Sequence, residues 1–171
     1  MLKIVSTTFE MQSKLTIDAY VPLDIRWGDD YYTNTSILYW RTGDFKKSLI
    51  ELGIDSKTGQ IRSFTLILVK KLLLISEDLL KSNVPITHGL PVIYTKNWFE
   101  KVRFFDEVGE FQCILNESAG RLYIVFTQDQ IVKWIKNDRV LFGLNDESML
   151  TIIGVQDFDE KAIRMINRQL I

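Results

Sequence analysis

The sequence predicts an α+β domain whose sheet is mainly antiparallel and built from hairpins. We expect two or three helices, two of them in the C-terminal third. Three observations support this fold class. Apolar runs flank short polar loops at three places along the chain. Two late segments begin with a capping pattern and continue with apolar residues at helical spacing. The order of the segments is not a strand–helix–strand alternation, which disfavours a doubly wound sheet.

The three predicted hairpins share one design, in which two apolar runs are joined by four or five polar residues. Connections this short favour antiparallel pairing, because parallel strands need a long crossover. Further strands are predicted for residues 14–21 and 36–40, the second followed by a turn at 41–44. The hairpins are predicted at residues 47–69, 110–126 and 139–155, with loops at 55–59, 116–120 and 145–148.

Helices are predicted where a side chain able to cap the first turn precedes an apolar stripe. Thr127 and Gln130 form a capping box before the apolar residues of 131–135. Asp157 and Glu160 form a second box, and the residues after them place an apolar stripe on one face. A third, shorter helix is predicted over residues 77–81, with Ser76 as its cap.

Composition indicates one ordinary globular unit. The chain has 171 residues, 46% of them hydrophobic and 25% charged, so we expect a single domain over residues 1–171. The formal net charge of -1 argues against direct nucleic-acid binding, which usually needs a basic surface. One cysteine excludes an intramolecular disulfide and suits a reducing compartment. Without a secretory signal or a long apolar run, we expect a cytoplasmic protein that does not bind membranes.

The sequence offers little catalytic chemistry. His88 is the only histidine and Cys113 the only cysteine, so they cannot supply a four-ligand zinc site. Cys113 sits in a predicted strand, where a cysteine is more often a small core residue than a nucleophile. Residues 56–59, Ser-Lys-Thr-Gly, contain the residue types of a phosphate-binding loop in a different order, and they precede a predicted strand where that motif precedes a helix. We therefore predict no enzyme, no catalytic residue, no cofactor and no metal ligand.

Two features predict where a partner binds. Residues 94–111 are rich in aromatic side chains in a charged context, which is typical of binding surfaces and equally of a loop pinned to the core. Residues 106–129 and 145–160 carry an excess of acids, which could attract a basic partner or could simply cap turns and helices. The predicted partner-binding residues are Trp98, Phe99, Phe104, Phe105, Asp106, Glu107, Asp146, Glu147 and Asp157.

The segment at residues 48–67, SLIELGIDSKTGQIRSFTLI, contains the pattern Glu-x-Gly-Ile-Asp-x-Lys-Thr-Gly-x-Ile. It resembles a hairpin of bacterial immunity proteins, and the apolar segment RLYIVF at residues 121–126 is similar to strands of the same proteins. The resemblance implies a protein that neutralises a toxin of contact-dependent growth inhibition or a related polymorphic system. It implies a 1:1 complex with a toxin C-terminal domain, of the type in which a zinc-dependent nuclease toxin inserts a β-hairpin that extends the immunity protein's sheet.

Two other functions remain open from the sequence. A small-molecule-binding or enzymatic domain would use the aromatic and acidic stretch at residues 94–111. It would hold His88, Asp106 or Glu107 in a deep pocket. A scaffold subunit would instead associate with itself through a large apolar surface.

Overall fold

The computed structural model describes residues 1–18, 20–28, 36–80, 83–96, 98 and 103–170, and in this part the chain is mostly β. Among these described residues, fifteen strands precede a single helix. The strands are β1 (Ile4–Thr7), β2 (Ser13–Thr16), β3 (Leu23–Trp27), β4 (Ile37–Gly43), β5 (Leu49–Asp55), β6 (Ile61–Leu68), β7 (Leu72–Leu74), β8 (Ile86–His88), β9 (Pro91–Ile93), β10 (Phe104–Val108), β11 (Gln112–Asn116), β12 (Arg121–Val125), β13 (Lys133–Asn137), β14 (Val140–Leu144) and β15 (Leu150–Val155), and the helix is α1 (Glu160–Leu170).

The strands form three sheets of mixed orientation. A six-stranded sheet has the order β10-β4-β5-β6-β3-β2, a seven-stranded sheet has the order β7-β11-β12-β15-β14-β13-β8, and β1 pairs with β9. Strands β10, β7 and β8 each join their neighbour in parallel. The predicted α+β class, with a mainly antiparallel sheet and two or three helices, is therefore wrong. Parallel pairs join segments far apart in sequence, which a pattern of local hairpins cannot reveal.

The three predicted hairpins are confirmed as β5–β6, β11–β12 and β14–β15. Each loop begins with an Asp or Asn whose side-chain oxygen accepts backbone N–H groups from the next residues. Asp55 Oδ1 accepts from Lys57 and Thr58, both at 2.9 Å. In the β14–β15 loop Asn145 Oδ1 likewise accepts the N–H groups of Glu147 and Met149, and in the β11–β12 loop Asn116 Oδ1 accepts the N–H of Ala119 and the hydroxyl of Ser118. The short polar side chain supplies the turn's hydrogen bonds locally, so the sequence alone is enough to position these loops.

The helix predicted from the Thr127–Gln130 capping box is wrong, because residues 127–132 form no helix and the apolar residues Trp134 and Ile135 belong to β13. The side chains of Trp134 and Ile135 are adjacent yet both buried, on opposite faces of the strand and in different apolar clusters. A strand buried on both faces has consecutive apolar residues, which can imitate helical spacing.

Of the other two predicted helices, one is wrong and one is confirmed. Residues 76–80 form bends without a helix, and Lys81 lies outside the described residues. The C-terminal helix α1 is present, but its cap is Asp159 and not the predicted Asp157, because Asp159 Oδ1 accepts the N–H of Ala162 at 2.7 Å. The described part of the chain therefore has one helix where two or three were predicted.

Two early strands have bounds that differ from the predictions. The strand predicted at 14–21 is the shorter β2, Ser13–Thr16. The strand predicted at 36–40 extends as β4 through the predicted turn to Gly43. The chain turns at the next residues, where Asp44 Oδ1 accepts the N–H groups of Lys46, Lys47 and Ser48.

The six-stranded sheet has one apolar face and one polar face. A single cross-strand row on the apolar face spans all six strands: Leu15, Ile25, Phe64, Leu52, Trp40 and Phe105. Because side chains alternate along a strand, this register sends the polar residues between them to the other face. The apolar face packs into the larger core cluster, which it shares with the seven-stranded sheet and α1.

The seven-stranded sheet is covered on both faces. One face joins the larger core, and the other carries a second cluster of Ile114, Tyr123, Trp134, Leu141 and Ile152. Leu79, Leu80 and Val84 pack over this second cluster. As a result, the residues of β14 and β15 are buried along their whole length.

Candidate functional site

Strand β10 forms one edge of the six-stranded sheet, and its outer side has no strand partner among the described residues. Its inner side pairs in parallel with β4. The N–H of Tyr39 donates to the carbonyl of Arg103 at 2.8 Å, and the N–H of Gly109 donates to the carbonyl of Gly43 at 3.2 Å. In a parallel ladder alternate residues face the neighbouring strand. The N–H and C=O groups of Phe104, Asp106 and Val108 therefore point away from the sheet.

This edge is the longest of the four outer strands of the two large sheets. Strand β10 has five residues, whereas β2 has four and β7 and β8 have three each. The outer edge of β2 is also partly satisfied, because Asp138 Oδ2 accepts the N–H of Ser13 at 3.1 Å. An edge of unpaired main-chain groups is a template for another strand, and natural edges are usually short or covered.

The side chains of β10 expose large apolar surface on both faces of the sheet. Val108 is 84% exposed, Phe104 41% and Phe105 38%. On the core side, Phe105 stacks on Trp98 with ring centroids 5.1 Å apart. On the polar side, Phe104 stacks on Tyr39 at 5.4 Å, and the guanidinium of Arg41 lies 4.4 Å from its centroid. These contacts fix the rings in place, so a binding partner would meet a preorganised surface.

The acids of β10 are already engaged with their own sheet. Asp106 accepts two hydrogen bonds from Arg41 on β4, at 2.7 and 2.8 Å. Glu107 accepts the indole N–H of Trp40 at 2.8 Å and also contacts the amino group of Met1. Partial burial raises the pKa of Glu107, but the hydrogen bonds from Met1 and Trp40 outweigh burial and hold that pKa below its ordinary value.

The structure brings together five of the predicted partner-binding residues and places the others elsewhere. The five lie on or against β10: Trp98, Phe104, Phe105, Asp106 and Glu107. Phe99 lies outside the described residues. Asp146 and Glu147 belong to the β14–β15 turn, and Asp157 follows the far end of β15, about 20 Å along the strand. Asp157 therefore does not share a contiguous patch with Asp146 and Glu147.

His88 and Cys113 cannot act on one substrate. They lie on β8 and β11, which are five strand spacings apart in the seven-stranded sheet, roughly 24 Å. The Nδ1 atom of His88 lies 2.9 Å from Glu10 Oε1 on the surface. Cys113 is 1% exposed, and burial raises the pKa of its thiol to about 12, so the reactive thiolate is suppressed.

A cleft of about 1000 Å³ opens on the polar face of the six-stranded sheet, away from residues 94–111. Strands β2, β3, β5 and β6 supply its charged residues except Asp18, which follows β2. Sequence reasoning did not identify these residues as a site. The polar–apolar alternation of residues 23–27 indicates which side chains share a face, but the strand order that groups them was not predictable. The charged lining consists of Lys14, Asp18, Asp24, Arg26, Glu51 and Arg62.

No protein-family model and no curated protein matches this chain. Among the described residues, no group of three or more potential ligands is placed to hold a metal ion. The one helix in that part of the chain is neither long nor apolar enough to cross a membrane.

Proposed function

We propose that this chain is a cytoplasmic immunity protein that binds the toxic C-terminal domain of a contact-dependent growth inhibition or related system, 1:1 and without catalysis. The toxin would add a strand along the outer edge of β10. The observation that carries the proposal is the outward direction of the main-chain groups of Phe104, Asp106 and Val108. Strand addition supplies main-chain hydrogen bonds, and flanking side chains select the partner.

The side chains beside this edge suit a selective contact. Alternation along β10 presents Phe104 and Val108 on the polar face of the sheet and Phe105 on the core face. An incoming strand would bury part of all three. Aromatic rings held by their own stacking partners lose little conformational freedom on binding, so they are effective anchors.

The resemblance at residues 48–67 supports the same location. That segment forms the β5–β6 hairpin at the centre of the sheet whose edge is β10. Strand β5 pairs with β4, and β4 holds β10. The hairpin that resembles one of immunity proteins would thus be the scaffold, and β10 the recognition edge.

The alternative of a catalytic pocket built from residues 94–111 has less support. The large cleft is lined by other residues, and neither His88 nor Asp106 is among them. Both Asp106 and Glu107 are engaged in hydrogen bonds of the sheet edge.

A co-expression rescue tests the proposed function. The proposal requires that a toxic C-terminal domain is encoded immediately upstream of this chain, and that domain would be induced in a bacterium with and without the chain. We expect survival only with the chain, together with co-purification at a 1:1 ratio. Death in both cultures, or survival without a complex, would refute immunity by direct binding.

A further inference from the structure

The polar face of the six-stranded sheet sorts its charges into two neighbouring rows. In the first row, cross-strand partners run Thr16, Asp24, Thr65, Glu51, Arg41 and Asp106. In the second they run Lys14, Arg26, Ser63, Gly53, Tyr39 and Phe104. Within the cleft, the first row is therefore acidic and the second basic. The rows are two residues apart along each strand, about 7 Å.

A β-bulge adds a third cation to the basic end. The β5–β6 register shifts between Gly53 and Ile54, so that Ser63 pairs with Gly53 but Ile61 pairs with Ile54. Without the shift, Arg62 would alternate onto the core face. The extra residue instead lets Arg62 line the cleft while Ile61 stays fully buried. Bulges are a recognised means of redirecting a side chain towards a site.

Gly28 provides the space for the Arg62 guanidinium. A Cβ at Gly28 would lie 3.1 Å from the Nη2 atom of Arg62 and 2.9 Å from the methyl carbon of Met11. Gly28 also has φ of +80°, a conformation that favours glycine. The local backbone thus lets the guanidinium lie directly against the chain at the wall of the cleft.

Two of the three cations at this end have no acidic partner among the described residues. Lys14 and Arg62 form no ion pair there, whereas Asp24 is bound by Arg26 at 2.8 Å and by the Thr65 hydroxyl at 2.7 Å. Asp24, the carboxylate that contacts the basic row through Arg26, is therefore already paired. Farther along, Glu51 is partly buried, and burial is the main reason that its pKa is raised, with Arg41 and Arg103 opposing the effect.

We infer that the cleft binds a small polar molecule through an anionic group, a carboxylate or a phosphate, held between Lys14 and Arg62. Charge-assisted hydrogen bonds from a lysine and an arginine are the usual way in which proteins hold such groups. The acidic row, about 7 Å away along the strands, disfavours polyanions, so the rest of the ligand is neutral or cationic.

The basic end lies on β2, β3 and β6, three to five strand spacings from β10, roughly 14 to 24 Å. The site is separate from the proposed toxin edge.

The test is an NMR titration of the full chain with two probes, inorganic phosphate and acetate, at constant ionic strength. We expect at least one probe to give saturable amide shifts confined to the cleft strands, and the stronger probe identifies the anion. In the Lys14→Gln/Arg62→Gln variant the dissociation constant should rise about ten-fold or more, because two charged contacts are lost. The matched control is Lys57→Gln/Lys70→Gln, which removes two exposed lysines outside the cleft and should bind as the unmodified chain does.

Two outcomes would overturn the inference. One is a shift that grows linearly with both probes, which is non-specific screening by salt. The other is equal binding by the Lys14/Arg62 variant and the unmodified chain. If the double variant does not fold, Lys14→Gln alone changes a side chain on the surface and carries the same comparison. Toxin rescue does not depend on either result.

Discussion

Arg41 and Asp106 face each other across β4 and β10 and form two parallel hydrogen bonds, Nε to Oδ1 at 2.7 Å and Nη2 to Oδ2 at 2.8 Å. The same guanidinium lies over the ring of Phe104. Arg41 therefore ties the edge strand to the sheet through a charge pair and an aromatic contact at once. An edge strand that is to receive a partner must itself be held firmly, and Arg41 is one of the side chains that hold β10.

Replacing Arg41 with Leu should loosen β10 without unfolding the protein. Asp106 is 46% exposed at its side chain, so solvent screening limits the loss to about 0.5–1 kcal/mol. We expect the amides of Phe105 and Glu107, which face β4, to exchange hydrogen roughly two to five times faster. Arg164→Leu, which breaks the exposed pair with Glu160 on α1, is the control and should leave those amides unchanged.

The two faces of β6 should respond very differently to truncation. Phe64 is fully buried in the apolar row, so Phe64→Ala should lower the free energy of unfolding by about 3–5 kcal/mol. The adjacent residue Ser63 lies on the polar face of the sheet, where the cleft opens. Ser63→Ala should therefore change the free energy of unfolding by less than about 1 kcal/mol. Urea denaturation measures both. Similar losses at the two positions would contradict the assignment of faces.

Asp44 should make stability depend on pH. Backbone hydrogen bonds from Lys47, Lys46 and Ser48 hold the pKa of Asp44 well below its ordinary 3.8. A lowered pKa means that the folded state favours the carboxylate. The contribution of Asp44 to stability is therefore complete above the pKa of the unfolded state, and it is lost as the pH falls through the pKa of the folded state. The chain should be more stable than Asp44→Ala at pH 7, and the difference should shrink as the pH drops below about 4.

The comparison needs Asp44→Asn as a control. The amide keeps an acceptor oxygen for the turn but carries no charge, so its advantage over Asp44→Ala should not change with pH in this range. The measurement is the denaturant midpoint of the unmodified chain and of the two variants at pH 7 and pH 3. If the difference in stability between the unmodified chain and Asp44→Ala stays constant with pH, the charge of the Asp44 carboxylate does not stabilise the turn.

Cys113 should resist thiol reagents in the folded protein. Its thiol is buried, and its pKa is raised to about 12 by that burial, so both access and thiolate are lacking. A colorimetric disulfide reagent should label it only after denaturation, at one thiol per chain. Rapid labelling under native conditions would mean that β11 opens readily or that Cys113 is not in the core.

Local chemistry in the sequence was enough to predict the hairpins but not the sheets that contain them. The β5–β6 loop could be located because Asp55 caps it and Gly59 takes the positive φ at its end. The parallel strand β10 is joined to β4 across more than sixty residues of chain, and its five residues carry no local pattern that specifies this partner. Pairing of that kind is decided by packing of the whole molecule.

The candidate site was predictable to a similar degree. Aromatic residues in a charged segment identified Phe104 and Phe105, which do lie on the exposed edge. The cleft was missed because its cations come from strands that meet only in the folded sheet, and because Arg62 reaches it through a bulge. The helix expected at 131–135 failed because β13 is buried on both faces, where helical and strand patterns coincide.

The claim that a partner strand adds to β10 is tested most directly by comparing Val108→Pro with Val108→Ala. Both variants remove the exposed valine side chain, but only proline also removes the outward-pointing N–H of residue 108. That N–H is not used in pairing with β4, because the residues on either side of Val108 face β4, so the proline should be tolerated in the free protein. With the toxin domain as partner, we predict that Val108→Ala still co-purifies at 1:1 and protects cells, whereas Val108→Pro folds, as judged by an unchanged melting curve, and loses both properties. Full binding and protection by folded Val108→Pro would contradict strand addition at this edge.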